Sequence, residues 1–292
     1  MPVMEGKALL FKRFADIDSI PIVLDVHTVE EIVNVVKAIA PSFGAINLED
    51  IAAPKCFAVE ERLKQELDIP VFHDDQHGTA IVVLAGLINA TKVVGKNLST
   101  CKIVTIGAGA AGTAIIKLLH KYGVRNILAI DSKGILSQSR DDLNEEKKAL
   151  LPYIETDVSG SLEEAIEDAD VFIGVSKPGL LTEMMVKKMA KDSIIFALSN
   201  PEPEILPELA RNAGAAVVAT GRSDFPNQVN NALAFPGIFR GALDNSVSKI
   251  TDDHKIAAAY ALASIVENPT VDEIIPSPFD PRVVSQVAEV IR

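Results

Sequence analysis

Two short clusters of acids carry the strongest chemical signal in this sequence. Glu49 and Asp50 follow the apolar run Ala45 to Leu48, and Asp74 and Asp75 follow the run Ile69 to Phe72. Carboxylates brought together repel one another unless protons or a cation compensate. Glu49, Asp50 and Asp75, completed by substrate oxygens and water, would form an octahedral shell of hard oxygens suited to Mg2+ or Mn2+. Taken singly, each acid reads as a solvated loop residue or a helix cap. Two strand ends that finish alike favour the metal. His73 and His77 flank the second pair and read as hydrogen-bond donors behind the ligands. His27, His120 and His254 read as caps or surface residues.

The second signal is KIVTIGAGAAGTAIIKLLHKYG, where Gly107, Ala108, Gly109, Ala110, Ala111 and Gly112 join a β-branched run to an apolar-periodic one. The first glycine permits a tight turn, the second lets backbone approach a pyrophosphate, and the third lets strand and helix pack closely. Amides and dipole at the helix start then favour phosphate. Such a turn is weak evidence alone, but Asp131 ends the next strand, 19 residues beyond Gly112. An acid there accepts hydrogen bonds from the ribose hydroxyls of NAD. It would repel a 2′-phosphate, whereas Ser132 and Lys133 beside it would welcome one. NAD is favoured, with NADP left open.

These residues need a scaffold that brings strand ends together. Strand-like and helix-like runs alternate from end to end, the signature of parallel α/β architecture. Strands are predicted at Ile20–Val26, Ala45–Leu48, Ile69–Phe72, Lys102–Ile106, Asn126–Ile130, Asp170–Val175, Ser193–Leu198 and Ala215–Ala219. Thr28 and Glu31 form a capping box before a helix with Val29, Ile32, Val33, Val36 and Ile39 on one face. Further helices are expected near Ala58–Leu67, Thr79–Val94 and Ile256–Val266, and Asp280–Pro281 opens a last one. The expected fold is a Rossmann-type doubly wound parallel sheet beside a smaller, truncated α/β substrate and metal domain. The divisions are 1–78, 79–250 and closing helices 251–292 that pack back across the cleft.

Bulk composition narrows the function. With 292 residues, two domains are natural. The balance of 28 basic against 40 acidic residues, a net charge of −12, argues against nucleic-acid binding. An anionic substrate must then be drawn in locally. Cys56 and Cys101 match no zinc or redox spacing, and no signal-peptide pattern opens the chain, so a cytoplasmic location is expected. The apolar run Ala80–Ala90 is too short to span a bilayer and reads as a buried helix. MPVMEGKALLFKRF enters a helical pattern almost at once, without a preceding strand or cap.

Five ordered segments resemble motifs of the malic enzymes, of the short prokaryotic type: PVMEGKALLFKRF, INLEDIAAPKCF, VFHDDQHGTA, IFALSNPEPE and NQVNNALAFPGIFRGAL. The resemblance covers almost the whole chain. It implies oxidation and decarboxylation of L-malate to pyruvate and CO2, with reduction of NAD or NADP and a divalent metal, in a homodimer. Glu49, Asp50 and Asp75 match the family's metal ligands. Lys7 matches its general base and Asp74 an acid supporting the proton chemistry. Asn200 and Asn231 match amides that hold substrate, with Asn200 also near the cofactor; Asn230 could replace Asn231. A lysine base needs burial and a nearby cation to lower its pKa.

The family also places a tyrosine acid and an arginine upstream of the lysine. Only six residues precede Lys7 here, Tyr122, Tyr153 and Tyr260 match no such motif, and nothing supports Arg13 as the arginine. The sequence thus reads as a malic enzyme lacking its N-terminal portion. The alternatives are a catalytically impaired NAD- and metal-binding fragment, or a metal-independent two-domain NAD enzyme such as an amino-acid dehydrogenase.

Overall fold

The computed structural model describes residues 1–292. Two parallel sheets organise the chain. The smaller holds β1 (Ile46–Leu48) and β2 (Val71–His73), in a register that sets Leu48 opposite His73. The residues after each strand therefore leave at the same end, which brings Glu49 close to Asp74. Around this sheet lie α1 (Pro2–Ala15), α2 (Val29–Ile39) and α3 (Lys55–Glu66). The capping box forms as expected: Thr28 Oγ1 accepts from the Glu31 N–H and the Glu31 carboxylate accepts from the Thr28 N–H. Val33 and Val36 then bury against Val59 and Leu63 of α3 and against Leu48 and Val71.

The strand expected at 20–26 does not form. That stretch is irregular, and Ile20 and Val23 are 62% and 59% exposed. Strand preference reflects fit to a half-buried pleated surface, and no such surface lies opposite; Pro21 also removes one ladder donor.

Helix α4 (Asp74–Val94) begins five residues before the expected Thr79. Its first turn is polar because it faces the acids, so no apolar period reveals it. From Ala80 to Thr91 every residue is buried, the mark of a helix enclosed on all sides. By length and composition it could cross a membrane, but most of it is enclosed by this protein.

The larger sheet contains β3 (Ile103–Ile106), β4 (Ile127–Asp131), β5 (Gly134–Ile135), β6 (Val171–Gly174), β7 (Ile194–Ala197) and β8 (Val217–Thr220), in the order 5-4-3-6-7-8. All neighbours are parallel except the short β4–β5 pair. Every residue of β3, β6, β7 and β8 is buried, as required when both faces are covered. The chain builds outward from β3 to β4 on one side and to β6 on the other. Their carboxyl ends frame the crevice where ligands bind in such sheets. Helix α5 (Ala110–Tyr122) follows β3, and α6 (Phe235–Asp244), α7 (Asp252–Ile265) and α8 (Arg282–Glu289) close the chain. One core joins Phe11 of α1 and Phe72 of β2 to α4 and to α6–α8.

Candidate active site

Helix α1 delivers Lys7 to the acids. Its Nζ lies 3.1 Å from Glu49 Oε1, contacts Asp74 Oδ2, and sits 4.5 Å from the centre of the Phe235 ring. Glu49 and Asp74 are almost fully enclosed, with side chains 3% and 0% exposed. Burial pushes Glu49 up to about 7, and the charges of Asp74 and Asp75 add to it. Burial likewise pushes Asp74 up to about 6. For Lys7, burial favours the neutral amine, but attraction to Asp74 and Glu49 outweighs it and holds the ammonium above its ordinary range. Two carboxylates in contact stabilise the cation more than burial opposes it; the lowering expected of a lysine base requires a bound cation as well.

Glu49, Asp50 and Asp75 each offer one oxygen, all within 4.8 Å of one another. Asp50 adopts φ 57°, a left-handed conformation that Asp tolerates better than most residues. Its N–H donates to Asp75 Oδ2 at 2.9 Å. Asn47 Nδ2 donates to Glu49 Oε2 at 3.1 Å and orients it. The donors are hard oxygens, and Glu49, raised first by burial and then by repulsion from Asp74 and Asp75, carries a charge that a divalent cation would stabilise. The residues present therefore fit Mg2+ or Mn2+. The second oxygen of Asp74, Oδ1, is buried without a partner, and a methyl group on Gly78 would lie 1.9 Å from it. Gly78 thus leaves this oxygen its space.

Behind the acids, Glu60 of α3 holds the β2–α4 junction. It accepts from the His73 N–H at 3.3 Å, His77 Nε2 at 2.9 Å and Lys64 Nζ at 2.5 Å. His77 is therefore a donor at one remove, as expected, and burial holds it down at about 4. His73 is not: neither of its ring nitrogens has a hydrogen-bond partner, and Nδ1 lies 3.8 Å from Asp75 Oδ2. His254 accepts from the Thr251 N–H in a capping box, and His27 is exposed.

A cleft of about 490 Å³ connects these acids to the glycine loop; it is lined by Asp75, Ala110, Ala111, Ser176, Asn200, Asn230 and Asn231, among others. Gly107 has φ 108°, and a Cβ there would meet the Val175 carbonyl oxygen at 2.7 Å. A Cβ at Gly112 would lie 1.7 Å from the Gly107 oxygen, so helix and strand pack as the motif requires. Asn230 is committed to its own backbone, with Oδ1 accepting from the Ala232 N–H at 2.9 Å. Asn231, also at the cleft, donates no side-chain hydrogen bond to protein.

Asp131 ends β4 but is not free. Arg140 Nη1 and Nη2 donate to its two oxygens at 2.8 and 3.0 Å, and Lys147 Nζ at 2.6 Å. Burial opposes its charge, yet these bonds and the Lys133 N–H outweigh burial and hold the carboxyl at about 2. Sequence reading missed Arg140, Lys147 and Glu60, because they meet their partners across loops and helices and belong to no local motif. Ser132 and Lys133 were the neighbours it weighed; Lys133 Nζ instead pairs with Asp142.

Residues 76–290 match the family described as malic enzyme, NAD binding domain, and residues 1–64 match malic enzyme, N-terminal domain. The chain belongs to the malic enzyme family. It is 59% identical to the bifunctional malic/malolactic enzyme of Bacillus subtilis over its whole length, covering 72% of that protein. It is 55% identical to the NAD-dependent malic enzyme of Geobacillus stearothermophilus, covering 61% of it. To the NADP-dependent malic enzyme of Rhizobium meliloti it is 51% identical over 98% of the chain and 40% of the relative. The malic enzyme structure from Pyrococcus horikoshii superposes with a TM-score of 0.96 at 52% identity, over 99% of this chain and 70% of that one. The cleft therefore belongs to an NAD(P)-binding domain of malic enzyme type.

Proposed function

We propose that this chain oxidises and decarboxylates L-malate to pyruvate and CO2 while reducing NAD or NADP, with Mg2+ or Mn2+ bound by Glu49, Asp50 and Asp75. One observation carries the reading: Lys7, Glu49 and Asp74 form a buried proton-sharing group beside the three-carboxylate cluster, and Asp75 opens onto the glycine-loop cleft. When bound, the metal supplies Lewis acidity at the C2 oxygen and the dinucleotide a hydride acceptor. In this reading Lys7 Nζ takes the proton of the C2 hydroxyl as the neutral amine, a form that a cation bound by Glu49, Asp50 and Asp75 would favour over the ammonium, and Asp74 in contact with it supports the proton chemistry. Asn200 and Asn231 orient the substrate carboxylate from the cleft wall. Gly107, Ala108, Gly109, Ala110, Ala111 and Gly112 hold the pyrophosphate at the start of α5.

NAD is the preferred dinucleotide in this reading, because a 2′-phosphate would face Asp131. Arg140 and Lys147 oppose that preference, so the test includes both forms. The assignment also takes 1–78 as the substrate and metal unit, 79–250 as the dinucleotide unit and 251–292 as the helices that close over both. A cytoplasmic homodimer completes it; the buried, unpaired Cys56 and Cys101 support a reducing compartment.

The test is absorbance of reduced nicotinamide with L-malate and Mn2+, using NAD and NADP in parallel and repeating with a chelator. Chelator-sensitive reduction supports the reading. Tyr122, Tyr153 and Tyr260 line neither this cleft nor the crevice between α3, α5 and α7. That favours, as a second reading, an impaired module without a proton donor for C3. Binding of NAD and Mn2+ without turnover would select it.

A further inference from the structure

Glu204 is 0% exposed, yet no lysine, arginine or histidine forms an ion pair with it. An ionised carboxylate taken out of water without a partner is expensive, so its compensation has to be found. Oε1 accepts from the Ser176 N–H at 2.9 Å and Oε2 from the Ser199 N–H at 3.1 Å. Burial raises its pKa, while those backbone donors favour the charge. The two donors sit on different loops, one after β6 and one after β7, and both serines line the cleft that runs past the glycine loop. The carboxyl also presses on the end of β6, where a Cβ at Gly174 would lie 2.3 Å from its Cδ. Only a side chain with two acceptor atoms satisfies both loops; an amide would turn its NH2 against one of the N–H groups.

The topology indicates which half of the cofactor meets these loops. The glycine turn follows β3 and Asp131 ends β4, so the adenosine half extends to that side. The other half must extend across the ends of β6 and β7, on the opposite side of β3. Oxidised nicotinamide carries a positive charge on its ring, and the reduced ring is neutral.

We propose that Glu204 is a positioning residue of the cofactor cleft: it fixes the loops after β6 and β7 and gives the nicotinamide half a buried negative charge that favours the oxidised ring. The protein then holds the dinucleotide that enters the reaction more firmly than the one that leaves. The inference rests on the dinucleotide reading of the cleft. It goes beyond that reading in assigning a redox-state preference to one residue that does not touch the cofactor.

Equilibrium binding of NAD+ and NADH, with NADP+ and NADPH in parallel, tests it on wild type, E204Q and E204D. In E204Q the affinity ratio of oxidised to reduced cofactor should fall about tenfold, the order of effect of one unit charge at roughly 10 Å with an effective dielectric near 20. E204D keeps the charge but cannot reach both loops. Both affinities should therefore fall by a similar factor, with the ratio kept within about twofold. A merely structural role would lower both forms equally in E204Q and leave the ratio unchanged, which overturns the electrostatic assignment. Unchanged affinities in E204D overturn the positioning role, and that arm stands even where E204Q does not fold. Should wild type bind neither redox form, the failure lies in the dinucleotide reading itself.

Discussion

Lys7 reaches the acids only because α1 is docked, and α1 is docked mainly by one ring. Of its residues only Phe11 and Ala15 are buried. Phe11 meets Phe235 and Phe239 edge-on, with centroids 4.7 and 5.2 Å away. Truncating a buried Phe to Ala costs about 3–5 kcal/mol. Phe11 is 4% exposed and lies where a peripheral helix meets α6, so the lower end applies. At about 1.4 kcal/mol per tenfold, F11A should raise the undocked fraction of α1 roughly a hundredfold. Lys12 and Arg13 on the exposed side of α1 are trypsin sites that report this opening. When opening and closing are fast, cleavage follows the open population. Cleavage there should accelerate by about a hundredfold in F11A, and by much less in F11L, which keeps most of the apolar area. Hydrogen exchange in α4 should stay slow, and malate-dependent activity should fall with the docked fraction. Cleavage within about threefold of wild type would refute the reasoning. So would exchange in α4 that rises in step with α1, since α1 would then not open as a separate unit.

Three further outcomes follow from particular contacts. G112A should fold but bind dinucleotide about a hundredfold less tightly, because its Cβ would sit 1.7 Å from the Gly107 oxygen and force the loop away; calorimetry with NAD checks this. Asn89 is fully buried and donates to the Ala263 and Ile274 carbonyls at 2.9 and 3.0 Å, so N89A should destabilise by about 2–3 kcal/mol, read from the urea midpoint. Asp131 titrates at about 2 when folded against an ordinary value of 3.8, so its contribution is present above pH 4 and lost as pH falls towards 2. The stability gap between wild type and D131N, about 1–2 kcal/mol at neutrality, should narrow between pH 7 and pH 3; a constant gap would contradict the pairing of Asp131 with Arg140 and Lys147.

Much of this protein was legible in the residues because the signals were local. The glycine turn lies between a strand and a helix within one continuous stretch, and the capping box spans four residues. All five strands read in the second unit formed close to their predicted positions, because buried parallel strands are continuous apolar runs between breakers. The acid pairs were legible as strand ends, although only the β1–β2 register brings them into contact. The strand read at 20–26 failed for the opposite reason: its apolar content was clear, but a strand exists only where another presents an edge.

Tertiary structure decided the electrostatics. Whether Lys7 is held charged depends on Glu49, Asp74 and the burial they share, and these arrive 42 and 67 residues later in the chain. Asp131 reads as an open hydrogen-bond acceptor until Arg140 and Lys147 fold back onto it. Glu204 sits in a short polar stretch that marks it as nothing more than a loop acid, and only the meeting of two strand-end loops makes it a buried anion. Residue types and local spacing determined which chemical groups the chain carries and which elements present them. The charge on each group depends on what approaches it from elsewhere in the fold, because Coulomb interactions and desolvation act through space and not along the chain.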